Sequence, residues 1–184
     1  MKNAFVLALM LALCSFAVAQ AKDAPKTVTQ ILDGGVKSIE GEFVPAAEAM
    51  PADKYDFAPT NGEFKGVRTF AQQIKHVAAV NYMLGGAILG EKPPVDTGGE
   101  SGPENIKSKA DIVKFLKDSY AYVHKAVATI NASNATSEVK APWGDSKITL
   151  MSMAMIVVGH GFDHYGQMVV YLRMNGIVPP ASRN

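Results

Sequence analysis

Four stretches of this chain repeat apolar residues every three or four positions, and this helical period constrains the fold more than any other feature of the sequence. In the first stretch, residues 26–50, the repeat consists of Val28, Ile31, Leu32, Val36, Ile39 and Phe43. The other three stretches are residues 66–90, 108–131 and 149–174. Each helix needs a partner for its apolar face, and no convincing strand alternation is present. The pattern therefore predicts an all-α protein, a four-helix bundle.

Three segments rich in proline, glycine and polar residues separate the predicted helices. The first contains Pro51, Pro59 and the pair Asn61-Gly62, which are residue types typical of turns. The second, residues 91–105, is long for a connection in a compact domain, so we expect either a surface excursion or the rim of a site. The third segment follows the predicted third helix. That helix begins with a capping-box pattern at Ser108 and Asp111.

The first 21 residues have the pattern of a secretory signal peptide. Lys2 precedes an apolar run from Ala4 to about Val18, and small residues at Ala17 and Ala19 fit a signal-peptidase site. The run is short for a bilayer span, so we expect cleavage rather than a membrane anchor. The prediction is one exported domain, residues 22–184, that is periplasmic or secreted and has no membrane partner.

Cleavage would remove Cys14, the single cysteine of the sequence, so metal binding or catalysis in the mature chain must use nitrogen and oxygen ligands. The formal net charge is +1 and Lys and Arg form no clusters, which argues against a nucleic-acid partner. Helix faces rich in Met and Val are compatible with a homodimer, but exposed and buried apolar stripes look the same in a sequence.

Two histidines lie one turn apart in the last predicted helix. His160 and His164 are about 40° apart around the helix axis, on the side that also carries apolar residues. A buried imidazole must pair its nitrogens, and two imidazoles at this spacing can bind one divalent cation. The alternative is a pair of ordinary hydrogen-bonded histidines. Gly159, Gly161 and Gly166 flank the pair and would allow close helix packing or leave room for a ligand.

His76 lies on an apolar face of the second helix, so a bundle could bring three imidazoles together. The fourth histidine, His124, has no helical partner histidine, and we interpret it as a surface or interhelical residue. Asp163 lies beside His164 and is a candidate catalytic residue, as an acceptor that orients an imidazole or as a proton acceptor. A solvated carboxylate is the alternative for Asp163.

Two segments resemble the DinB-like superfamily of metal-binding four-helix bundles, which is distinct from the DNA polymerase of similar name. They are "FAQQIKHVAAVNYML" and "ITLMSMAMIVVGHGFDHYGQMVVYLRMNGIVPP", the second similar to the family's His-x-x-x-His-x-Gly-Gln signature. The resemblance implies a bundle with a long crossover connection, metal ligands at His76, His160 and His164, and a helix-packing role for Gly166 and Gln167. It also implies a divalent metal cofactor, for which we expect zinc or nickel.

The family includes metal hydrolases of the YfiT type and thiol-dependent transferases. The first functional hypothesis is therefore an enzyme whose metal activates a water or a thiol against an unidentified small-molecule substrate. The second is a non-catalytic bundle that binds a metal or a small ligand. The third is a structural bundle whose histidines form ordinary hydrogen bonds. A fold alone does not distinguish them.

Overall fold

The computed structural model describes residues 25–183, and four helices dominate this range. We name them α1 (Val28–Ala49), α2 (Phe70–Leu89), α3 (Lys109–Val127) and α4 (Leu150–Met174). The predicted all-α four-helix bundle is confirmed, and each helix falls inside its predicted stretch. The predicted signal peptide, residues 1–21, lies outside the described residues.

Each helix begins at a side-chain cap. The hydroxyls of Thr27 and Thr69 accept hydrogen bonds from backbone amides three residues later, and Gln30 and Gln72 complete reciprocal capping boxes. Ser108 caps α3 as predicted, and Thr149 caps α4. These caps satisfy amides that have no partner within the first turn, which explains why the helices start where they do.

The connections alternate between diagonal and adjacent helices. α1 packs against α3 and α4, and α2 packs against the same two helices, so α1 lies diagonally across the bundle from α2 and α3 lies diagonally from α4. The segments 50–69 and 128–149 therefore cross opposite ends of the bundle. α2 and α3 are neighbours that run in the same direction, since Asn81 contacts Ser119 and Gly85 lies against Tyr122. The segment 90–108 between them returns along α2, with Gly102 against Lys75, so the implied long crossover is present once, at this connection.

A short β-hairpin in the segment 128–149 was not predicted. Strands β1 (Glu138–Lys140) and β2 (Lys147–Thr149) pair antiparallel, with Val139 opposite Ile148. Three-residue strands are too short to display a polar and apolar alternation in the sequence. The second strand leads directly into α4, so the hairpin sets the position at which this helix starts.

The core is built from all four helices and includes the fully buried side chains of Phe43, Phe70, Tyr120 and Met168. Among the glycines near the histidines, Gly161 permits a close approach of α1 to α4, because a Cβ there would lie 2.6 Å from Cγ1 of Ile39. Gly159 and Gly166 would meet no atom within 4 Å, so they are not needed for packing inside the described chain. The predicted packing role holds for Gly161 alone.

Within residues 25–183, none of the helices combines the length and apolar character that a bilayer crossing requires.

Candidate metal centre

The imidazoles of His76, His160 and His164 meet between α2 and α4. One nitrogen from each ring lies within 4.8 Å of the other two, and the Nε2 atoms of His76 and His160 are 3.0 Å apart. The ring centroids are separated by 4.5 to 4.9 Å. The structure thus brings together the three histidines that the sequence singled out, and among the described residues no fourth histidine or carboxylate joins them.

The helix period explains how α4 contributes two of these rings. His160 and His164 are one turn apart, and both face α2, which packs directly against α4. Buried residues one turn away on each side of the pair, such as Val157 and Met168, attach this face to the core. Because the helix is anchored above and below the two rings, their backbone positions are set by the core.

His164 is oriented by a chain of side-chain amides. Its Nδ1 lies 2.5 Å from Oε1 of Gln73, and Nε2 of Gln73 donates to Oε1 of Gln167 at 2.9 Å. Gln167 in turn donates to Oδ2 of Asp163 at 3.3 Å. An amide oxygen only accepts, so Nδ1 of His164 carries the proton and Nε2 retains a lone pair. We call these four residues the amide relay.

His76 is oriented by a backbone carbonyl. The segment 90–108 folds back onto α2 through the turn Gly99–Ser101, and the carbonyl oxygen of Glu100 lies 2.5 Å from Nδ1 of His76. This nitrogen must donate, since a carbonyl has no proton to give, and Nε2 of His76 is left with its lone pair. The long segment between α2 and α3 therefore forms the rim of the site, which is one of the two interpretations drawn from its sequence.

His160 has a different environment. Its Nδ1 is buried and lacks a hydrogen-bond partner among the described residues, while its Nε2 faces Nε2 of His76. Two imidazole nitrogens at 3.0 Å either share a proton or share a cation. Nε2 of His76 is unprotonated when Nδ1 donates to Glu100, so only His160 can supply such a proton.

Burial lowers the pKa of each of the three imidazoles below the ordinary value of 6.5. For His160 the pKa falls to about 4, through burial and then through the charge of His76. For His164 it falls to about 3, through burial and then through the neighbouring imidazoles. The rings are therefore neutral near pH 7, which is the form that binds a metal ion.

The residues fit a divalent cation. Two Nε2 lone pairs are held toward one point by acceptors on the opposite ring nitrogens, and the third ring approaches the same point. Carbonyl and side-chain oxygens in this position are the usual supports of metal-bound histidines, because they set the tautomer and the ring orientation. Bonds of about 2.0 to 2.1 Å to one ion hold tetrahedral ligand nitrogens roughly 3.4 Å apart. The Nε2 atoms of His76 and His160, at 3.0 Å, are already this close, and a nitrogen of His164 lies within 4.8 Å of both rings.

Asp163 and His124 lie outside the cluster. Asp163 is exposed and accepts from Gln167, and the acceptor that orients His164 is Gln73. His124 bridges α3 and α1, with Nδ1 2.5 Å from Asp33 and Nε2 3.0 Å from Glu40. Its interpretation as an interhelical residue is confirmed.

A polar cleft of about 660 Å³ adjoins the amide relay. Gln73 and Gln167 form part of its wall, and the charged groups of Arg68, Lys75 and Glu104 also line it. None of these three charged side chains forms an ion pair with another described residue. The cleft can therefore hold a polar small molecule next to Gln73 and Gln167, although none of the three histidines lines it.

Sequence reasoning did not find Gln73 or the Glu100 carbonyl. Gln73 lies three residues before His76, a spacing that places both on one side of α2, so the signal was present. For Glu100 no signal exists, because the contact uses a backbone oxygen whose position depends on how the loop folds.

The chain is similar to known proteins in both sequence and structure. A family model described as the DinB superfamily matches residues 38–168. A DinB-like protein from Bacillus cereus is similar in structure, with a TM-score of 0.64 and 15% identity over 80% of this chain and 94% of that one. The DinB-like protein YjoA from Bacillus subtilis has a TM-score of 0.63 and 15% identity over 83% of this chain and 99% of that one. No curated protein matches the sequence.

Proposed function

The chain belongs to the DinB superfamily, and from this premise we propose that it binds a divalent metal ion through His76, His160 and His164 and uses it in a hydrolase or transferase reaction on a small molecule. One observation carries the proposal. Oxygen acceptors hold Nδ1 of His76 and His164, so that the two Nε2 lone pairs converge with the third imidazole.

Zinc and nickel are the ions that we propose. Imidazole nitrogen suits both, and the sequence between residues 25 and 183 contains no cysteine that would favour a thiolate site. Three protein ligands, rather than four, is the number typical of catalytic zinc sites. When bound, such an ion supplies Lewis-acid activation of a water, a thiol or a substrate oxygen.

The chain's own residues have separate tasks in this proposal. Gln73 and the Glu100 carbonyl hold two ligands in one neutral tautomer, and burial keeps all three rings uncharged. The cleft beside the relay admits the substrate, and Arg68 and Lys75 contact its polar or anionic groups. Asp163 is the proposed proton acceptor, because its carboxylate is exposed and is hydrogen-bonded to Gln167 on the cleft wall.

A metal site that only stabilises the bundle is the second candidate. The observation that favours it is burial, since His76 and His164 are 6% and 7% exposed. A buried ion held between α2 and α4 would cross-link two helices that are not adjacent in the sequence.

Metal content tests the first step. The purified protein is stripped with a chelator, reloaded with zinc or nickel, desalted and measured by elemental analysis. We expect one ion per chain in the wild type and in His124→Ala, and a loss of the ion in His164→Ala. Equal metal content in His164→Ala and His124→Ala would contradict the assignment of the ligands.

Activity separates the two candidates. Loaded and stripped protein are compared on chromogenic esters and on the conjugation of a thiol to an electrophile. Metal-dependent turnover that Asp163→Asn reduces without loss of metal supports the enzyme. Full metal loading, a raised melting temperature and no turnover on either class would favour the stabilising site.

A further inference from the structure

The outer face of α4 carries an exposed apolar stripe. Its members are three or four residues apart along the helix: Met151, Met155, Gly159, Phe162, Gly166, Val170 and Met174. These spacings place all seven on one side of the helix, opposite the core. Met155 is 60% exposed, Val170 is 50% exposed and Phe162 is 38% exposed. We call this face the α4 stripe.

The stripe is unusual for the outer face of a bundle helix, which is normally charged or polar. From Leu150 to Met174, the acidic and basic residues apart from the two histidines are Asp163 and Arg173. In contrast, the outer face of α3 carries Lys114, Lys117, Asp118 and Lys125. An exposed apolar face of this kind marks a contact with another surface.

The order of residues along the stripe is nearly the same in both directions. On either side of Phe162 come a glycine, then a large apolar residue, then a methionine: Gly159 and Gly166, Met155 and Val170, Met151 and Met174. A second copy of the helix running antiparallel would therefore place glycine opposite glycine and Met155 opposite Val170. Self-complementarity of this kind is what a twofold interface requires, since each surface contacts its own copy.

The two glycines are not needed for packing among the residues that the structure describes. A Cβ at Gly159 or Gly166 would meet no atom within 4 Å, although each glycine costs the helix about 0.5 to 1 kcal/mol relative to alanine. In an antiparallel pair they would let the two helices approach closely and leave space beside the ring of Phe162 from the other copy. Small residues at a helix interface serve this purpose elsewhere.

The size of the face suits a dimer. A helix of 25 residues is about 37 Å long, which is long enough for an interface of about 800 Å² per partner. The apolar surface also extends onto α1, because Gly35 lies against Val158 at the edge of the stripe and Ile31, one turn earlier, is 60% exposed. Two exposed charged residues, Asp163 and Arg173, lie within the arc of the stripe, and the rest of the face is uncharged, so it suits another copy of itself better than a strongly charged partner.

We propose that two copies of this chain form a twofold dimer in which their α4 stripes pack antiparallel around Phe162. The inference uses the outer face of α4, whereas the metal proposal uses the inner face, so each can fail without the other.

The oligomeric state tests the proposal. We expect sedimentation equilibrium to give a mass about twice that of one chain. One chain has a mass of 19.6 kDa at full length and less after any cleavage. Phe162→Glu should weaken dimerisation at least tenfold, because it places charge at the centre of the interface. Phe64→Glu is the matched control, since Phe64 is 39% exposed, outside the stripe, and should remain dimeric. Circular dichroism confirms that both variants fold.

Two outcomes would overturn the proposal. One is a wild-type protein that stays monomeric at every concentration. If this monomer also binds phosphatidylcholine vesicles, the stripe is assigned to a lipid surface instead. The other is a dimer that Phe162→Glu leaves unchanged.

Disulfide trapping tests the antiparallel register. In a Cys14→Ser background the chain contains no cysteine, so an introduced pair reports one contact. A mixture of Met155→Cys and Val170→Cys chains should oxidise to a covalent dimer. Met155→Cys alone should not, because the two copies of residue 155 would be about 22 Å apart along the axis. Trapping of Met155→Cys with itself would show parallel packing and overturn the proposed arrangement.

Discussion

Nδ1 of His164 lies 2.5 Å from Oε1 of Gln73, so a side chain of α2 determines which nitrogen of a histidine on α4 is free. The same glutamine donates to Gln167, which keeps its amide from rotating. The contact shows that the candidate metal centre depends on residues beyond its ligands, and it leads to the first prediction.

Gln73→Leu should weaken zinc binding about 10- to 100-fold, because His164 loses the acceptor that orients it. Gln73→Glu retains an oxygen at this position and should bind zinc nearly as tightly as the wild type. Competition with a chromogenic chelator measures both affinities. Equal affinity for Gln73→Leu and the wild type would show that the hydrogen bond has no role in positioning His164.

The metal-free protein should lose stability in acid. Burial lowers the pKa of His160 to about 4 and that of His164 to about 3, whereas in the unfolded chain both titrate near 6.5. The unfolded state therefore takes up protons first as the pH falls. The stabilisation is complete above about pH 6.5 and declines progressively toward about pH 3.

Urea unfolding of the chelator-treated protein at a series of pH values checks this expectation. The matched variant is His160→Gln with His164→Gln, which lacks both titrating groups and should show a shallower decline between about pH 6.5 and pH 4. The same slope in the variant and in the wild type would assign the acid sensitivity to other groups.

Gly161→Ala should destabilise the bundle by about 1 to 3 kcal/mol, because the new Cβ would lie 2.6 Å from Cγ1 of Ile39 in a packed core. Gly34→Ala is the control, since a Cβ at that helical position meets no atom within 4 Å and should stabilise by about 0.5 to 1 kcal/mol. Chemical denaturation measures both. If the contact is the cause, the penalty of Gly161→Ala should largely disappear in an Ile39→Ala background.

His124→Ala should lower the free energy of unfolding by about 1 to 3 kcal/mol, because the imidazole bonds to two carboxylates on α1. Asp33 and Glu40 would lose their shared partner on α3. Thermal and urea unfolding measure the change, and the metal content should stay at the wild-type value. A variant of unchanged stability would show that solvent replaces both hydrogen bonds at no cost.

The helices were predictable because their apolar repeat is long and regular. In α3, Ile112, Leu116 and Val123 recur at helical spacing and are all buried, and the cap at Ser108 is visible as a local pattern. The hairpin was not predictable, since Val139 and Ile148 belong to strands of three residues whose pairing depends on how the segment 128–149 folds. Periodicity also cannot tell which helices are diagonal.

The site was predictable in part. His160 and His164 share a face by helix geometry alone, and the inward position of His76 follows from its apolar neighbours. Gln73 was within reach of the same reasoning, three residues from His76. The Glu100 carbonyl was not, because any residue type can offer a backbone oxygen.

By itself the sequence determined the number and extent of the helices, the face on which His160 and His164 lie, and the apolar character of the α4 stripe, since all of these follow from spacing along one helix. The tertiary structure alone decided that α2 packs beside α4, that His76 reaches the pair, and that the stripe faces outward while the histidines face inward. The physical reason is that local periodicity specifies which side of a helix is apolar, whereas packing specifies what that side meets.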